Sequence, residues 1–102
     1  MKHAGAQTLA LLAPLLRDIR ALAGLVERTP GAFYRRSAGF LHFHEDAAGS
    51  FADVKLERKT WTRFRVTTAT EQRRFLAAVR ACLACLACLT CLASEDEPTR
   101  GA

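Results

Sequence analysis

Between residues 39 and 57 the chain reads GFLHFHEDAAGSFADVKLE, and the alternation of apolar and polar residues there constrains the fold more than any other stretch. Successive side chains of a strand point to opposite faces. Leu41 and Phe43 therefore share one face, and His42 and His44 share the other. The pattern breaks at small residues and resumes at Ala52, Val54 and Leu56. This predicts a β-hairpin with strands at 40–44 and 51–57 and a loop at 45–50. Any fold that contains it covers one face and leaves the other open.

The flanking segments supply the cover. Leu12, Leu15, Ile19, Leu22 and Val26 fall at a three-four spacing, which predicts an amphipathic helix, with Pro14 in its first turn and Thr29-Pro30-Gly31 as its stop. Residues before about Thr8 read as frayed or as a short extra turn. Residues 32–36 read as a strand joined to 40–44 through Ser37-Ala38-Gly39, with Gly39 in the left-handed position. A charged turn at 58–60 precedes a last strand at 61–66. Thr68 and Glu71 have the capping-box spacing that starts a long helix. Its expected core stripe is Leu76, Val79, Leu83 and Leu86, and the acidic run from Glu95 with Pro98 ends it. The expected architecture is α+β in two layers: a four-stranded antiparallel meander with an N-terminal and a long C-terminal helix on one face. One domain spans 1–94, and 95–102 reads as an acidic, disordered tail.

Half of the 102 residues are hydrophobic and the formal charge is +5, which excludes global disorder and makes an anionic partner plausible. The opening MKHAGAQTLALLAPLL has the look of a secretory signal, with Ala21-Leu22-Ala23 resembling a cleavage site. Arg17, Asp18 and Arg20 interrupt it before that site. All four cysteines crowd into Cys82, Cys85, Cys88 and Cys91, unlike a secreted disulfide framework. A cytoplasmic location is the expectation.

The open sheet face is where function is sought. A hairpin register that keeps Leu41 and Phe43 with Ala52 and Val54 sets His42 opposite Asp53. Symmetric pairing about the outer turns adds Tyr34 opposite His42 and Arg65 opposite Asp53. The expected row is Tyr34, His42, Asp53 and Arg65, flanked by His44, Lys55, Trp61 and Arg63. These eight are the candidate ligand-binding residues. His42 and His44 could share one divalent metal ion, with Asp53 or Glu45 as third ligand, at imidazole–metal distances of about 2.0–2.1 Å. No nucleophile elbow or other catalytic signature appears, so an enzyme is the minority reading. Basic residues beside Trp61, Tyr34 and Phe40 also suit weak nucleic-acid binding. The leading reading is a small module that binds an anionic ligand or a protein partner.

The repeat ACLACLACLTCLA places cysteines every three residues. On a helix the outer two lie about 13.5 Å apart along the axis, too far to share one ion, so they read as small packing residues. A helix over 69–93 is about 37 Å long, against about 17–20 Å for the strands, so its apolar end at 86–93 should overhang the sheet and pair with a second copy as a homodimer. The uncharged run 81–93 is too short for a membrane span.

The run LVERTPGAFYRRSAGFLHFHEDAAGSFADVKL resembles the middle of small uncharacterised bacterial α+β proteins of the MmcQ/YjbR type. In those proteins a helix ending near Pro-Gly leads into a meander with a hairpin of phenylalanine, a basic residue or histidine, and Glu-Asp. The resemblance implies the fold, and no catalytic residues.

Overall fold

The computed structural model describes residues 1–57 and 60–93, with the side chains of the last helix described to Cys85. Its elements are β1 (Lys2–His3), α1 (Ala6–Leu11), α2 (Ala13–Arg20), β2 (Val26–Thr29), β3 (Ala32–Arg35), β4 (Ala38–Asp46), β5 (Gly49–Glu57), β6 (Thr60–Arg65) and α3 (Ala69–Ala93). The fold is α+β with an antiparallel sheet, but the sheet has six strands where a four-stranded meander was expected. The order is β2-β3-β4-β5-β6, with β1 also paired to β4. Because β5 occupies one edge of β4, β1 and β3 lie end to end along the other edge.

Of the two added strands, β2 begins at the end of the segment read as one helix, and β1 lies in the residues before it that were read as frayed. Pro14 has no N–H to donate, so the helical path breaks at Leu12 (φ −93°, ψ 8°) and α2 starts afresh with Pro14 in its first turn. After Arg20 the chain turns through Gly24 at φ 94°. Val26 continues the helical spacing but lies on β2, where it is exposed. Pro30-Gly31 is the turn of the β2–β3 hairpin, with Thr29 opposite Ala32 and Gly31 at φ 79°. Proline followed by a residue at positive φ is a turn signature. Glu27 ties this hairpin to α2, accepting from the Gly31 N–H at 2.9 Å and from Arg20 Nη2 at 3.0 Å.

Two bulges set the outer registers. The β3–β4 turn is Arg36-Ser37, at φ 54° and 70°, a two-residue turn in place of the expected loop closed by Gly39. The register then shifts between Phe33 and Tyr34, leaving Phe40 as the extra residue. Phe40 is buried beside Leu41 in the core, so it is not one of the accessible aromatics that nucleic-acid binding would use. Tyr34 pairs with Gly39, and Ala32 takes the expected place opposite His42. On the other side Glu57 pairs with Thr60, and a shift between Val54 and Glu57 sets Lys55 and Leu56 against Trp61. Asp53 therefore faces Arg63 rather than Arg65. The central β4–β5 register is the expected one, with Leu41 opposite Val54, His42 opposite Asp53 and Phe43 opposite Ala52.

Ser37 is exposed and holds a left-handed conformation that costs an L-residue about 1–2 kcal/mol. Less the entropic cost of glycine, Ser37→Gly should raise stability by about 0.5–1 kcal/mol. A lower urea midpoint for this variant would contradict the turn geometry.

The helices cover one face. Leu12, Leu15, Leu16 and Ile19 meet Phe33, Leu41, Phe43, Ala52 and Val54 from the sheet and Phe75, Leu76 and Val79 from α3. The α3 stripe is thus rotated toward Phe75, which the expected stripe omitted. The capping box forms: the Glu71 N–H donates to Thr68 Oγ1 at 3.2 Å, and the Thr68 N–H donates to Glu71 Oε1 at 2.9 Å. Cys82 turns inward, its Sγ 3.6 Å from the Leu56 carbonyl, and burial pushes its thiol up. It packs and donates, as a small apolar residue does. The dimer contact expected of 86–93 falls on side chains outside the described residues, as does the acidic tail. Among the described residues no helix is long and apolar enough to cross a membrane.

Candidate metal centre

The face of the sheet away from the helices collects three histidines. Alternation along β4 puts His42 and His44 on this face, and β1 brings a third, since His3 pairs with His44. Glu45 secures β1: its carboxylate accepts from the Gly5 N–H at 2.8 Å and lies 3.6 Å from Lys2 Nζ. The Ala4 N–H donates to the Phe43 carbonyl at 3.1 Å. Glu45, an alternative third ligand on sequence grounds, is thus an anchor for the strand that delivers His3.

The rings converge. Centroid separations are 4.6 Å for His42–His44, 4.9 Å for His3–His44 and 5.9 Å for His3–His42. One ring nitrogen from each of the three lies within 4.8 Å of the others. His3 is exposed while His42 and His44 are half-buried. His42 Nδ1 and His44 Nε2 are both buried without a hydrogen-bond partner. Buried polar atoms of that kind are rare and call for a specific explanation.

Asp53 sits beside the trio. It is 7% exposed, the one buried charged residue among those described. Both its oxygens accept from Arg63, at 2.7 Å from Nε and 2.9 Å from Nη2, a bidentate pair with geometry that favours the charged forms. Its Oδ2 lies 3.3 Å from His44 Nε2, an ion pair only when that ring is protonated. The Arg63 hydrogen bonds hold the Asp53 carboxyl below the usual carboxylate range against its burial. Burial pushes His42 down, helped by the field of His44. Burial also pushes His44 down, opposed by Asp53 and by a hydrogen bond with the Lys2 backbone. At neutral pH His42 and His44 are therefore neutral imidazoles beside an ionised carboxylate, the protonation state in which ring lone pairs can ligate.

The remaining expected residues divide. Trp61 packs against His42 with ring centroids 4.6 Å apart, and Lys55 Nζ lies 4.9 Å over the Trp61 ring. Tyr34 shares the face but not the row, flanking Gly39 with the Arg28 guanidinium 4.7 Å over its ring. Arg65 leaves the site: it pairs with the Glu71 carboxylate at 2.9 and 3.0 Å and donates to the Ala48 carbonyl at 3.1 Å. The structure adds His3 to the histidine pair. Its strand is two residues long, so no alternation marks it in the sequence.

Compared with protein-family models, with curated proteins and with solved structures, the chain matches none of them. Those comparisons leave the MmcQ/YjbR-type resemblance where the sequence put it.

Proposed function

We propose that this domain is a metal-binding module that takes one divalent transition-metal ion on its open sheet face through His3, His42 and His44. The observation that carries the reading is the pair of buried nitrogens without hydrogen-bond partners, His42 Nδ1 and His44 Nε2, in a trio of rings that with His3 brings one nitrogen from each within 4.8 Å of the others. A metal ion gives each lone pair the partner that the protein withholds. Ligand nitrogens at about 2.0–2.1 Å from a tetrahedral ion lie about 3.4 Å apart. The exposed His3 ring, on a short edge strand, is the one free to close that gap.

Three imidazoles suit zinc, copper, nickel or cobalt rather than calcium or magnesium. Three protein ligands also leave a coordination position open, as sites that bind a further ligand do. The Lys2 backbone hydrogen bond to His44 fixes that ring, and the Arg63-held Asp53 carboxylate stabilises positive charge beside it. The nucleic-acid reading is weakened by the same geometry, because Arg63 and Arg65 are committed to Asp53 and Glu71.

Isothermal titration with zinc, cobalt and nickel tests the proposal. One ion should bind per chain, with affinity falling at least about 100-fold in His42→Ala and in His44→Ala. Asp53→Asn, which keeps the shape but loses the charge, should cost about 10–100-fold. No binding at micromolar metal, or an unchanged affinity in the His42→Ala/His44→Ala double variant, would overturn it.

A further inference from the structure

We infer that the groove beside the three histidines holds a small aromatic carboxylate whose acid group takes the open position on the metal. The inference rests on the metal reading and names what that position is for. The groove has a volume of about 590 Å³ and runs from the β2–β3 turn at Pro30 and Gly31, with Phe33 and Phe43, past His3 and His42 to Lys55 and Trp61. That size lies within the range of small-molecule sites, about 300–1,000 Å³. Its position follows from the sheet: β1 and β3 meet the same edge of β4 end to end, and the groove opens where one gives way to the other.

Two observations select the occupant. The first is aromatic. A Cβ placed on Gly39 would stand 3.9 Å from Trp61 Cη2 and 4.0 Å from Tyr34 Cε2, so Gly39 forms a bare floor between two ring walls. A flat apolar body fits there, and stacking or edge contacts with such rings favour an aromatic one. The second is charge. Among the described residues no carboxylate lines the groove, while Lys55 sits over the Trp61 ring and Arg28 over the Tyr34 ring. Lys55 on the groove wall, Arg28 behind the Tyr34 ring and a metal bound at the end would together favour an anion over a cation. His42 joins the two halves, because its ring lies against Trp61 and is itself a member of the histidine trio. A ligand with its carboxylate on the metal would therefore lay its ring toward Trp61.

The test uses the cobalt-loaded protein, with 2-naphthoate as probe and acetate as control. Visible absorption reports the cobalt coordination sphere, and fluorescence reports the single tryptophan. The expected result is a shift of the cobalt bands by naphthoate at a concentration at least tenfold below that needed with acetate, with parallel quenching of Trp61. In Trp61→Leu that preference over acetate should fall about tenfold, a ratio that a change in cobalt affinity alone does not move. If cobalt binds but naphthoate is no better than acetate, or if the preference survives in Trp61→Leu, the inference is wrong and the metal reading stands. If cobalt does not bind, the metal reading fails and the inference falls with it.

Discussion

Replacing Phe75 by alanine should remove about 3–5 kcal/mol of stability, the largest loss expected from any single truncation of a core ring. Phe75 is fully buried. Its ring meets Phe43 edge-on at 6.1 Å and Phe64 at 5.3 Å, so it joins α3 to β4 and β6 at once. Truncation removes the transfer free energy of the ring and leaves a cavity whose walls are held by the sheet, which cannot collapse into it. Small domains have total stabilities of about 5–15 kcal/mol, so the variant should be marginal at room temperature. Urea denaturation followed by circular dichroism checks this: the midpoint should fall with little change in slope. Phe75→Leu keeps most of the volume and should lose less than half as much. A loss under about 1 kcal/mol in the alanine variant would mean that α3 does not depend on this contact.

The inner part of the sheet was readable because its pattern is redundant. Leu41 and Phe43 on one strand and Ala52 and Val54 on the next all demand the same face, and a one-residue slip would expose all four. That redundancy also fixed His42 opposite Asp53. The outer hairpins lack it. An extra residue at Phe40, or at Lys55 and Leu56, leaves no mark in a short strand, yet each bulge moves every later pairing by one. Arg65 was lost from the expected row because Glu57 pairs with Thr60, one residue tighter than symmetric pairing expects, and the bulge adds a second step, so that Arg63 took its place. The misread helix end has a different cause: Leu22 and Val26 extend a helical spacing by chance, and Pro-Gly serves equally as a helix stop and as a hairpin turn. His3 depends on a long-range pairing, Lys2 with Glu45 and His3 with His44, that no local pattern encodes. Two of the three histidines of the candidate centre were therefore visible in the alternation of β4, and the third came from the tertiary fold.

Zinc at a thousandfold excess over its dissociation constant should stabilise the native protein by about 4 kcal/mol, an effect that His42→Leu should abolish while making the metal-free protein more stable. The two signs have one origin. In the metal-free state His42 Nδ1 is buried without a partner, and an unsatisfied buried polar atom costs about 1–3 kcal/mol. Leucine has a similar volume and can keep the contact with Trp61 without that atom, so it should gain about 1 kcal/mol. With zinc bound the order reverses, since the wild-type nitrogen gains a metal bond and leucine offers none. For a domain of this size each kcal/mol moves the melting temperature by about 4–8 °C. Thermal melts of both proteins, with chelator and with zinc, should thus cross: the variant melts higher without metal and the wild type higher with it. A ring kept only for packing would give parallel curves. A variant less stable than wild type in chelator would mean that the nitrogen has a partner such as a bound water, and a wild type unmoved by zinc would remove the metal from the account.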